Sequence, residues 1–265
     1  MDNKIKFKYF TSNINKRDKV FFSMSIFFLI FINMKDFLSK PYANSNGYDF
    51  LFHLLNNRFF SIFIIPPLVL LFLYKVNLSF NNYIFIRFNN RRDWFINSVK
   101  SISKFIFIFI ISILIIVLTM CSLKGLKFYP SWSNDSIQKF SSLPNVLKYN
   151  PLVLITLQLL LFYGYLFTLS LLLLIFNIKF KNTIISFLFV IILNSFNIGI
   201  LLSKLDSIGR FSFSYNLLLD FHNWGTTPVY SSIYFSIFYW IIIIVSIFLY
   251  GVRLLNKLDI VGKDI

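Results

Sequence analysis

The chain has 265 residues, 57% of them hydrophobic, with 26 Lys or Arg against 10 acidic residues and a net charge of +16. All ten acids are Asp, Glu is absent, and the two histidines, His53 and His222, stand outside any HExxH helix, which removes the usual metalloprotease chemistry. One cysteine, Cys121, forbids an intrachain disulfide, and the eight glycines form neither GxxxxGK[ST] nor GxGxxG, so no known phosphate-cradling loop is present.

Crossing about 30 Å of hydrocarbon takes about 20 helical residues. Stretches of that kind lie at Val20 to Leu38, Phe59 to Val76, Phe105 to Cys121, Leu152 to Ile178, Ile184 to Leu202 and Ile233 to Val252. The fold class read from this pattern is an all-α polytopic membrane protein with six transmembrane helices. It forms one domain: a cytoplasmic segment 1–19, a membrane region 20–252 and a cytoplasmic tail 253–265. The first stretch is the shortest, bracketed by Lys19 and Lys35. It is read as a retained helix, because Pro41 occupies a position where a signal peptidase site wants a small residue.

Ahead of it, Lys4 to Lys19 combines cations with Phe7, Phe10 and Ile14 at helical spacing, the pattern of an interfacial helix on a lipid surface. With the N-terminus inside, 17 of the 26 basic residues fall on the cytoplasmic side while the Asp residues divide five and five. Lys and Arg bias sets orientation, so both termini are expected in the cytoplasm. The same charge lies beside span ends, where it meets anionic lipid, and nucleic acid is not an expected partner.

In the second span, Pro66 and Pro67 remove backbone donors and mark a possible hinge. The loop Asn77 to Lys104 contains Ile86-Arg87-Phe88, Arg91-Arg92 and Trp94; as a helix it would place Arg87, Arg91 and Trp94 on one face. The fifth span carries Asn194 and Asn197, one helical step apart, as helix-packing or pathway residues. Among outer groups, Asp49, Asp220 and His222 are those able to meet a cation. Apart from Asp36 near the end of the first stretch, no carboxylate or histidine falls within a span, which argues against a proton- or sodium-coupled carrier.

Six spans with both ends inside, a basic amphipathic N-terminal segment and the Ile86-Arg87-Phe88, Arg91-Arg92, Trp94 loop resemble the membrane subunits of ABC-2 type transporters. The chain is most similar to small bacterial permeases tied to export of, or immunity to, antimicrobial peptides. The resemblance implies a coupling helix between spans two and three that docks on a separate ATPase through Arg87, Phe88, Arg91, Arg92 and Trp94. It also implies a second permease chain, identical or related, and a place in the bacterial cell membrane. Any ATP and Mg would be held by the partner ATPase, with no cofactor in this chain. The alternative is an immunity protein that sequesters a peptide toxin without an ATPase.

A reporter fused after Ile265 is expected to read cytoplasmic in intact cells; a periplasmic or extracellular reading would overturn the charge-based orientation.

Overall fold

The computed structural model describes residues 16–38, 46–75, 91–129, 131–132, 149–202, 209–219 and 233–257. These are helical, with no strand among the described residues. In chain order the helices are α1 (Lys16–Leu38), α2 (Gly47–Asn56), a π-helical segment (Phe59–Ile64) running into α3 (Ile65–Lys75), α4 (Arg91–Leu123), α5 (Pro151–Phe180), α6 (Thr183–Leu202), α7 (Phe213–Leu217) and α8 (Ile233–Lys257). The interfacial segment ahead of Lys16, and Arg87 and Phe88, lie outside the described residues.

Four helices, α4, α5, α6 and α8, are long and apolar enough to cross a membrane. The π segment with α3, taken with α2, makes a broken fifth, bent by 55°. The apolar run of α1, Phe22–Lys35, is shorter. Two boundaries differ from the sequence reading. The third span was expected from Phe105, yet α4 begins at Arg91 and runs unbroken for 33 residues, because Trp94, Phe95, Ile102 and Ile106 keep helical spacing and are all buried. The second span was expected to start at Phe59, and the structure adds α2 before it.

Helix α5 is the centre of the bundle. Its apolar window is 72% buried, against 39% or less for the other three long helices, and α2, α3, α4, α6, α7 and α8 all pack on it. Its start is fixed by Asn150, whose side chain accepts from Leu152 N, with Pro151 at the first helical position. It ends at Lys181, which adopts the left-handed conformation (φ 52°), and Asn182 at once caps α6 by accepting from Ile184 N and Ile185 N. Two residues therefore separate α5 from α6, which makes them an antiparallel hairpin.

Aromatic contacts fix how neighbouring helices lie against one another. Phe22 of α1 stacks on Phe72 of α3, Phe72 on Phe105 of α4, and Phe95 of α4 meets Phe248 of α8. One end of the bundle holds Arg92, Lys179, Lys181, Arg253 and Lys257, and is called the basic end below. Near it Gly251 lies so close to the Phe95 ring that a Cβ would collide with it, whereas a Cβ at Gly199 would meet nothing. Gly164 similarly admits Trp240, whose ring would lie 3.0 Å from an added Cβ.

Gly251→Ala is expected to lower the thermal midpoint in detergent, at a cost of about 1–3 kcal/mol for displacing the ring. Gly199→Ala should leave it level or raise it, and equal effects at the two sites would discount the close approach.

Candidate functional site

The residues singled out from sequence fall into two places. The first is the start of α4. Arg92 is exposed there, but Trp94 is turned into the bundle and is only 6% exposed. The expectation that Trp94 shares an outward docking face with Arg87 and Arg91 is therefore corrected: it packs within the chain. The helix containing it is the first turn of α4 itself, stiffened by Asn97 Nδ2 donating to Asp93 O (2.7 Å) and Ser98 Oγ donating to Trp94 O (3.0 Å). Residues 91–100 of the region compared above with a coupling helix form the first turns of α4, and those before Arg91 lie outside the described residues.

The second place is the joint leading into α3. Its sharp bend lies at Asn57, nine residues before the prolines that were expected to make it. Asn57 leaves helical geometry (φ −70°, ψ 111°), and its side-chain oxygen accepts from Phe59 N and Phe60 N (3.0 and 3.3 Å), capping the segment that follows. Ser61 Oγ donates to Leu55 O across the break at 2.5 Å.

The prolines do something different. In an α-helix the Ile62 carbonyl would receive N–H of residue 66, and in a π-helix N–H of residue 67; both are proline and neither has one. Ile65 N reaches back to Phe60 O, the last π bond before the donors run out. The Ile62 carbonyl is therefore abandoned by its own helix in either register. Asn194, buried on α6, supplies the missing donor through Nδ2 at 3.2 Å. Its Oδ1 in turn accepts from the hydroxyl of Tyr165, fully buried on α5, at 2.6 Å. Three helices are joined by one amide, which is what a polar side chain does best where no water competes.

Asn197 holds a different junction. Its Nδ2 donates to Leu193 O on its own helix (2.9 Å) and its Oδ1 accepts from Phe213 N (3.0 Å), the start of α7. The short α7 is further tied by Gln158 Nε2 donating to Leu217 O (3.0 Å), Trp240 Nε1 to Asn216 O (3.1 Å) and Ser236 Oγ to Asn216 Oδ1 (2.7 Å). Both asparagines thus make interhelical contacts.

At the end of the bundle opposite the basic end, Asp49 is buried and belongs to a capping box in which its carboxylate accepts from Asn46 N (2.9 Å). Asn46 also donates to Tyr129 O and Ser131 O (2.7 and 3.0 Å), fixing α2 to the chain that follows α4. One carboxylate oxygen of Asp49 thus serves the capping box; Asp220 and His222 lie outside the described residues. Sequence reasoning missed Tyr165, Gln158, Asn216 and Asn46. Asn46-x-x-Asp49 was a readable capping box, and two adjacent prolines in an apolar helix demand a donor from elsewhere. Among the described residues, no three His, Cys, Asp or Glu side chains gather as metal ligands.

An uncharacterized protein of Halalkalibacterium halodurans is 28% identical to this chain over 247 residues, covering 92% of this chain and 90% of the relative. No protein-family model and no solved structure matches.

Asn194→Leu is expected to destabilise the protein by about 0.6–2 kcal/mol, the range for hydrogen bonds between membrane helices. Tyr165→Phe should cost a similar amount, and the double variant less than the sum, because the two side chains form one chain of bonds. Strict additivity in thermal or denaturant unfolding would mean they act separately.

Proposed function

We propose that this chain is the membrane subunit of an ATP-driven transporter of the ABC-2 type, with six spans and both termini in the cytoplasm. In this reading a separate ATPase supplies the energy, a second permease chain completes the pathway, and the cargo is a hydrophobic or amphipathic peptide. The observation that carries it is the joint from Asn57 to Pro67. A span broken by 55° and relaxed into π turns is poised to move, and it is held to the central hairpin by one side-chain donor. Such a joint connects α2, at one end of the bundle, with the remainder of the span in α3.

The helix ends add support. With only Lys181 and Asn182 between α5 and α6, that connection offers little surface to a partner. In this reading the exposed Arg92 docks on the ATPase together with Arg87, Phe88 and Arg91. Trp94 would act as the anchor that holds this region on the bundle instead of touching the ATPase.

The first test is mild-detergent purification of the tagged chain from its native host and mass spectrometry of what accompanies it. An ATPase with a phosphate-binding loop is expected, and its yield should collapse in a variant carrying Arg87→Glu, Arg91→Glu and Arg92→Glu. Reproducible absence of an ATPase from folded, abundant protein would favour the toxin-sequestering immunity protein, which should protect cells unaided.

A further inference from the structure

The π segment is held from two sides. Its Ile62 carbonyl is bound to Asn194, and α2 ahead of it is fastened by Gly47 N donating to Lys127 O (3.0 Å) and by the Asn46 side chain. Both helical spacings meet between these points. Ser61 N donates four residues back to Asn57 O (2.9 Å), as in an α-helix, whereas Ile65 N donates five residues back to Phe60 O, as in a π-helix.

The prolines make the two spacings exchangeable. Going from π to α hands Ile65 N from Phe60 O to Ser61 O, and moves Ile64 N and Phe63 N forward by one carbonyl in the same way, so bonds are exchanged one for one. The exchange stops at Ile65, because Pro66 and Pro67 have no N–H to pass on, and α3 beyond them is undisturbed. The Ile62 carbonyl lacks a donor from its own helix under either spacing and keeps Asn194 throughout.

Side chains decide which spacing is seen. Counting back from Ile65, π spacing sets Phe60 one turn before it, and α spacing sets Ser61 there. Phe60 is fully buried while Phe59 is 66% exposed, so the π register keeps the Phe60 ring inside the bundle. The Ser61 hydroxyl adds its bond to Leu55 O across the break. In the α register Phe60 would take the outward place of Phe59, which loses packing but meets lipid tails as apolar as the ring itself.

We propose that residues 59–64 are a two-register switch. Winding from π to α turns the Asn57 end relative to α3 by about 100° and advances it by about 1.5 Å, the step of one residue, while Ile62 stays pinned to Asn194. Asn57, where helical geometry is already broken, absorbs the change. The switch belongs to this chain's own backbone and operates with or without an ATPase partner.

The test places para-fluorophenylalanine site-specifically at Phe59 or at Phe60 of the full chain in lipid nanodiscs. Fluorine NMR is read with and without dissolved oxygen, which broadens rings that face lipid. The label at Phe60 is expected to give a main resonance shielded from oxygen and a minor one broadened like that of Phe59, or their average where exchange is fast. Ser61→Ala, which removes the bond to Leu55 O, should raise the minor share about fivefold, the factor for one hydrogen bond. Pro66→Ala should suppress it: the new N–H serves Ser61 O in the π register, whereas in the α register it meets a carbonyl that Asn194 already holds. Pro67→Ala gives Phe63 O a donor in either register and should leave the shares unchanged. A single oxygen-shielded resonance at Phe60 in both the native chain and Ser61→Ala would overturn the proposal. Equal effects of the two proline substitutions would mean a general loosening of the span and overturn it too. Ser61→Ala and Pro66→Ala act in opposite directions, so poor folding of one leaves the other to decide.

Discussion

Inside a bilayer a backbone carbonyl without a donor has no water to turn to, and the Ile62 carbonyl is such a group by sequence: both residues able to serve it from its own helix are proline. The arrangement of the bundle answers that need. Asn194 must come within reach, which sets how α6 lies against the π segment, and Tyr165 must orient the amide, which sets α5 against α6. The two-residue turn at Lys181 and Asn182 makes the second condition easy to meet. With α5 and α6 fixed as a hairpin, Gly164 lets Trp240 bring in α8, and Ser103 brings in α4 through Tyr163.

Around that rigid centre the remaining elements are held by caps. Asn46 fastens α2, Asn57 restarts the chain after the bend, and Asn216 collects α7 and α8. Asparagine suits this work because it donates and accepts with no charge to bury, and the chain is rich in it. A side chain of this kind at a helix boundary costs little where the same group in mid-span would need a partner.

The helical class and the positions of the long helices were legible because apolar length is a one-dimensional property. The start of α4 was not. The segment was placed between spans, yet Arg91, Arg92, Lys100 and Lys104 lie in one long helix that carries Trp94, Phe95 and Ile102 into the core. The helical period was legible there, but not its continuity with the span that follows. The prolines were noticed as a possible hinge; the 55° bend itself lies at Asn57, where helical geometry breaks, whereas the prolines leave a carbonyl without a donor from its own helix. Asn194 and Asn197 stood out as polar residues in an apolar span, but their partners sit on other elements, at separations of 132 and 16 residues, where no local pattern reaches.

The separation of 132 residues between Asn194 and Ile62 also has a meaning in time. A ribosome adding about 5–20 residues per second needs roughly 7–26 s to travel from one to the other. Tyr165 and Asn194, only 29 residues apart, can find each other as soon as their hairpin is inserted. The π segment, by contrast, enters the membrane long before its donor exists. During that interval its carbonyl must rely on water at the insertion site or on the insertion machinery, so the slowest-maturing part of the nascent protein is the joint that the finished one depends on.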